Sequence, residues 1–181
     1  MTISTATFAG GCFWCLEAAF NSLNGVKNAL SGYTGGFTDA PSYEDICTGT
    51  SGHAEAVQIE FDDQQISYQA LLNLFFSLHN PTQLNRQGHD IGSQYRSAIF
   101  YHNQQQKKQA EDFIEQLTDA KVYSDTIKTT LDNLTVFYPA EDYHQGYYVK
   151  NPAQGYCAMV ITPKMIKFKE QYQAQLKSSV S

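Results

Sequence analysis

Ile3-Ser4-Thr5-Ala6-Thr7-Phe8-Ala9, then Gly10-Gly11-Cys12-Phe13-Trp14-Cys15-Leu16, is the stretch on which the reading of this chain turns. The first seven residues read as a strand, and Leu16, Ala19, Phe20 and Leu23 recur at helical spacing. Gly10 and Gly11 permit a tight turn between them. Cys12 therefore stands where a strand passes into a helix. Unpaired N–H groups and the positive end of the helix dipole favour an anion there, so Cys12 is expected to be more thiolate than a free cysteine. Phe13 and Trp14, the only tryptophan in the chain, set large apolar faces beside the thiol. The three residues could instead be plain core, since free cysteine is often buried. The flanking glycines, the helix start and a second thiol at Cys15 favour a reactive sulfur.

Outward from this point, Gly25 breaks the helix and Val26 to Tyr33 reads as a strand. A long loop from Thr34 to His53 holds Tyr43 and Cys47. Ala54 to Phe61 alternates with period two, and Ser67 opens a helix that Asn80-Pro81 ends after Leu78. A second loop, Thr82 to Gln94, contains Asp90 and feeds a strand from Tyr95 to Tyr101. A polar helix, Gln104 to Leu117, short strands near Thr126 to Thr130 and Leu134 to Tyr138, and a closing helix from Pro163 to Leu176 complete the reading. The order strand, helix, strand, strand, helix, strand predicts an α+β fold. It would be a two-layer sandwich with a ferredoxin-like βαββαβ core, an antiparallel sheet and an irregular C-terminal segment. One catalytic domain is expected over residues 1–181, with 143–162 a mobile tail.

Composition limits the function classes. The 181 residues are 42% hydrophobic, enough for a core without disulfide staples. Twelve basic against eighteen acidic residues give a formal charge of −6, and only Lys164, Lys167 and Lys169 cluster. Nucleic acid and anionic membranes are not expected partners. With neither a leader pattern nor an apolar run long enough to span a bilayer, a soluble cytoplasmic monomer is expected, its four cysteines reduced.

Several segments carry a family likeness. Gly11-Cys12-Phe13-Trp14-Cys15-Leu16-Glu17, Ser31-Gly32-Tyr33-Thr34-Gly35-Gly36, Gly52-His53-Ala54-Glu55, Gly92-Ser93-Gln94-Tyr95-Arg96-Ser97 and Tyr138-Pro139-Ala140-Glu141-Asp142-Tyr143-His144-Gln145 occur in this order. From about Phe8 to Lys169 the chain resembles the peptide methionine sulfoxide reductase A family. The resemblance implies reduction of methionine (S)-sulfoxide, free or in proteins, with no prosthetic cofactor and with electrons from thioredoxin or a small dithiol.

The chemistry asks for an acid as well as a nucleophile, because sulfoxide oxygen leaves sulfur poorly unless protonated. Lowering a thiol pKa by about two units raises the thiolate fraction at pH 7 about 25-fold but weakens each thiolate about 8-fold, a net gain of only about threefold. General acid catalysis is worth about 10²- to 10⁴-fold. Glu55, where a loop enters a strand, is the candidate acid, held protonated by apolar neighbours such as Phe13 and Trp14.

The resemblance further implies that Tyr43 and Tyr95 hydrogen-bond the sulfoxide oxygen, that Asp90 assists through a water, and that Phe13 and Trp14 receive the S-methyl group. Attack by Cys12 would leave a sulfenic acid, which condenses with a second thiol. Cys157 is the expected resolving cysteine, with Cys15 as the alternative. Cys47 and the five histidines are read as structural. No further cysteine follows Cys157, so a three-cysteine relay is not implied, and Gly146 stands where an aspartate is expected. Two other readings stay open: a general thiol–disulfide oxidoreductase using Cys12 and Cys15, and a zinc module built on Cys12, Cys15, Cys47 and a histidine.

Overall fold

The computed structural model describes residues 2–178. Strand β1 (Ile3–Ala9) leads through Gly10 and Gly11 into helix α1 (Phe13–Asn21), with Cys12 in extended conformation at its N-cap. Gly11 has φ +86°, and a Cβ there would lie 2.8 Å from the Gln87 side chain. Both facts exclude a larger residue without rearrangement. Strand β2 (Val26–Thr34) follows, then a short helix α2 (Tyr43–Cys47) inside the expected long loop. A capping box between Ser42 and Asp45 starts α2, satisfying amides that a loop would have left to water.

Strand β3 (Ala54–Asp62) and helix α3 (Tyr68–Leu78), capped by Ser67, come next. The second loop is not bare. It holds a hairpin of β4 (Arg86–Gln87) and β5 (Asp90–Ile91), then a 3₁₀ turn, Ser93–Tyr95, before strand β6 (Ala98–Tyr101). Helix α4 (Gln104–Asp119) leads to β7 (Thr130–Asn133) and β8 (Phe137–Pro139). The last part has a short helix α5 (Tyr147–Lys150), a π-helical turn Cys157–Ile161 and helix α6 (Thr162–Gln171).

The sheet corrects the expected fold class. Its order is β7-β6-β1-β3-β2-β8, and β7 runs parallel to β6, with Ala98 opposite Thr130 and Ile99 opposite Leu131. The six strands form a mixed sheet, not the antiparallel sheet of a ferredoxin-like sandwich. The physical reason is α4. A strand that returns beside its predecessor after a helix of this length has crossed over, and crossovers join parallel strands. At the other edge β8 adds antiparallel to β2.

The core lies where helices cover one face of the sheet. Phe8 of β1 stacks on Phe75 of α3 at 4.8 Å between ring centroids and lies 5.9 Å from Phe20 of α1. Both helices therefore press on the same face. Along β3, Val57, Ile59 and Phe61 point into this core, while Ala54 and Ala56 join a smaller cluster with Ala9, Ala98 and Phe100 on the opposite face. Glu55 belongs by period two to the row of Val57. A carboxyl thus begins a row of buried apolar side chains. Among the described residues, no helix is long and apolar enough to cross a membrane.

Candidate active site

Strand pairing brings the expected nucleophile and the expected acid together. β1 and β3 are antiparallel, with Phe8 opposite Val57, so the outgoing end of β1 lies beside the incoming end of β3. Cys12 lies just past the first and Glu55 at the start of the second. The backbone N–H of Phe13, left without an intrahelical partner at the start of α1, donates to Glu55 Oε1 at 3.2 Å. Cys12, Phe13, Trp14, Tyr43, Glu55, Asp90 and Tyr95 line one cleft of about 230 Å³, together with Gln154 and Tyr156. All seven residues assigned from sequence to the reacting centre and methyl pocket open into this cleft.

They arrive on five elements, Cys12, Phe13 and Trp14 together at the start of α1 and Glu55 on β3. Tyr43 begins α2, whose capping box fixes the entry of the chain, and its amide donates to Glu141 Oε2 at 3.3 Å. Asp90 is carried by β5, and Tyr95 ends the 3₁₀ turn that follows. The Tyr156 hydroxyl donates to the Asp90 carboxylate in a very short hydrogen bond. Trp14 stacks on Tyr147 at 3.9 Å with the rings 13° apart, and Tyr156 meets it edge-on.

The electrostatics favour protons. Glu55 is 2% exposed, and burial pushes its carboxyl up to about 8; the Phe13 amide opposes this and the Asp90 carboxylate adds to it. A carboxyl so placed holds a proton at neutral pH. Burial also pushes the Cys12 thiol well above its ordinary range, with the Glu55 carboxylate as the next cause and the Trp14 backbone N–H pulling the other way. The expectation of a thiolate stabilised by the helix start is therefore corrected. The helix end acts in the foreseen direction, and desolvation outweighs it. Tyr43 and Tyr95 are raised chiefly by burial and then by Glu55, so both keep their protons and can donate.

The remaining thiols lie outside the cleft. Cys15, 6% exposed, and Cys157, 0% exposed, sit in the apolar core, where burial raises both. Cys157 opens the π-helical turn, and its N–H donates to Gln154 Oε1 at 3.0 Å. Cys47 is exposed at the end of α2. Among the described residues, no three His, Cys, Asp or Glu side chains gather as a metal ion would need, so Cys12, Cys15 and Cys47 do not converge. Gly146, at the position where an aspartate was expected, has φ +66°, a left-handed conformation that suits glycine.

Sequence reasoning missed the C-terminal wall. Tyr156 and Gln154 line the cleft, Tyr147 covers Trp14, and His144 lies beneath Phe13, Trp14 and Tyr43. The signal was the crowding of aromatic residues between Tyr143 and Tyr156, which read as irregular because their partners, Trp14, Tyr43 and Asp90, are far away in the chain.

The comparisons with known proteins agree. The family described as peptide methionine sulfoxide reductase matches residues 4–177. Peptide methionine sulfoxide reductase MsrA of Polynucleobacter asymbioticus is 50% identical over 173 residues, 96% of this chain and 91% of the relative. Mxr1 from Saccharomyces cerevisiae in reduced form has the same fold at a TM-score of 0.79 and 35% identity, covering 85% of this chain and 88% of that one. Mxr1 in complex with Trx2 matches at a TM-score of 0.57 and 26% identity over 80% and 84% of the two chains. The chain belongs to the peptide methionine sulfoxide reductase A family of oxidoreductases.

Proposed function

We propose that the cleft reduces the S-epimer of methionine sulfoxide with Cys12 as nucleophile and Glu55 as general acid. The observation that carries this reading is that one cleft holds a thiol and a carboxyl protonated at neutral pH, with two neutral tyrosine hydroxyls beside them. Cys12 sulfur attacks the sulfoxide sulfur while Glu55 delivers its proton to the oxygen and Tyr43 and Tyr95 donate hydrogen bonds to it. Phe13 and Trp14 receive the S-methyl group, and Asp90 assists through a water. As the hydroxyl passes from the substrate sulfur to Cys12 and the S–S bond breaks, methionine leaves reduced by two electrons and Cys12 becomes a sulfenic acid, oxidised by two. The proton that Glu55 gives is matched by the one the thiol loses, so the carboxyl is regenerated.

Cys157 then condenses with the sulfenic acid, forming a disulfide and releasing water. Because Cys157 is buried away from the cleft, this step requires the segment 143–162 to shift, the whole chain acting as one catalytic domain. A thioredoxin or a small dithiol reduces the disulfide. The complex of Mxr1 with Trx2 supports such a partner here. These thiols suit a reducing compartment such as the cytoplasm.

The test is purified protein with dithiothreitol and each epimer of methionine sulfoxide. Reduction of the S-epimer alone, lost in Cys12→Ser, is expected. Efficient reduction of insulin disulfides that survives Cys157→Ser, without sulfoxide turnover, would favour the thiol–disulfide oxidoreductase instead.

A further inference from the structure

Beside this cleft lies one buried base that the mechanism does not use. His144 is 1% exposed, and its ring lies 4.4 Å from Tyr43, 5.1 Å from Phe13 and 5.8 Å from Trp14, centroid to centroid. The Trp14 indole N–H donates to His144 Nδ1 at 3.0 Å. An indole nitrogen only donates, so Nδ1 must present its lone pair and the ring proton must sit on Nε2. Nε2 is buried with no hydrogen-bond partner, and the nearest carboxylate, Glu141 Oε2, is 4.0 Å away, just too far. Glu141 is meanwhile engaged by the hydroxyls of Tyr33 and Tyr143, each at 3.1 Å.

We propose that His144 is a positioning residue of the reductase site: as a neutral imidazole accepting the indole proton, it fixes the plane and tilt of Trp14 and so the shape of the methyl pocket. The proposal rests on the reading of Trp14 as a wall of that pocket. Tyr147 determines which face of the indole is covered, but stacking leaves the ring free to slide and rotate in its plane. The bond to Nδ1 removes that freedom. Its direction also makes the arrangement sensitive to protonation, because an imidazolium carries a proton on both nitrogens and would set one N–H against another.

Burial is the main influence on this imidazole and holds its pKa below the ordinary histidine value, keeping the accepting form at neutral pH. The charged groups facing it, Glu141 below and Glu44 from α2, act in the opposite direction, and its other close titratable neighbours, Tyr43 and Tyr143, are neutral hydroxyls.

The tryptophan is unique in the chain, so its emission reports on the surroundings of this one indole. In the unsubstituted protein, emission should change in a single transition below about pH 6.5. Glu17 and Glu55 titrate nearby at about 7 and about 8, so the transition is assigned by its loss in His144→Asn, whose amide oxygen can replace Nδ1. His144→Leu, with no acceptor, should raise KM for methionine sulfoxide about tenfold while kcat changes less than about threefold, and His144→Asn should restore KM to within about threefold. Emission that is flat from pH 7.5 to 4.5 in an active enzyme, or an unchanged KM in His144→Leu, overturns the role of His144. Should His144→Leu fail to fold, the titration of the unsubstituted protein and of His144→Asn still decides. Absence of sulfoxide reduction in the unsubstituted protein would overturn the reductase reading itself, independently of the emission transition.

Discussion

Phe13 N–H donates to Glu55 Oε1 at 3.2 Å, so the first free amide of α1 is satisfied by the carboxyl proposed as the acid. The bond seats the carboxyl and pulls weakly against its protonation, while burial wins. Glu55→Gln keeps an oxygen for the Phe13 amide and loses the transferable proton. Single-turnover release of methionine should slow by about 10²- to 10⁴-fold, while the thermal midpoint at pH 7 should not fall, since the amide stays neutral in both the folded and the unfolded chain. In the unsubstituted enzyme the same step should fall off above pH 8, as the carboxyl, held up to about 8, loses its proton.

Cys12 should alkylate slowly at pH 7, because burial and the Glu55 carboxylate both oppose its thiolate. With the second cause removed in Glu55→Gln, the pH at which iodoacetamide reactivity reaches half its maximum should move down. An unchanged or higher midpoint would mean that the two groups do not sense each other.

After one turnover without reductant, mass spectrometry should find Cys12 bridged to Cys157. Cys157→Ser should release one equivalent of methionine at a normal rate, hold Cys12 as a sulfenic acid that a dimedone probe labels, and lose turnover with thioredoxin. A bridge from Cys12 to Cys15 in the unsubstituted protein would transfer the resolving role to α1.

Stability should fall as pH rises from mildly acidic to alkaline. The Glu17 carboxyl accepts the Gly146 N–H through both oxygens, at 2.9 and 3.0 Å, and burial raises it from 4.5 to about 7; Glu55 rises from 4.5 to about 8. A raised carboxyl binds a proton in the folded state that the unfolded chain has lost. Its contribution is fully present below about pH 4.5 and disappears as pH passes about 7 for Glu17 and about 8 for Glu55. Thermal midpoints from pH 5 to 9 should show this slope, and the Glu17→Gln, Glu55→Gln double variant should flatten it.

What could be read from the sequence follows how local each signal is. The strand–turn–helix at Cys12, the alternation that buries Val57, Ile59 and Phe61 and the Ser67 cap each depend on a few neighbours, and the structure has them in those places. The short helix α2 was missed although Ser42 and Asp45 spell its capping box, because the glycines and threonines around it suggested only loop. The sheet was misread at its edge. Helix α4 was visible, but its consequence, a parallel β7, depends on where the chain returns. The thiol's proton affinity was misjudged for a related reason. A helix start is a local feature, whereas desolvation is supplied by the whole surrounding fold. Likewise Tyr147 on Trp14 and Tyr156 on Asp90 are meetings of residues far apart in the chain.

One stretch, from Tyr147 to Cys157, both walls the cleft and ends in the buried thiol. In the proposed cycle it would be needed in two places at successive moments. While it is seated, a sulfoxide would find a shaped hollow and no rival sulfur; once it lifted, the rival would arrive and the hollow would be gone. Substrate and spare thiol would thus compete for time instead of room, protecting Cys12 from being capped before it has taken up an oxygen.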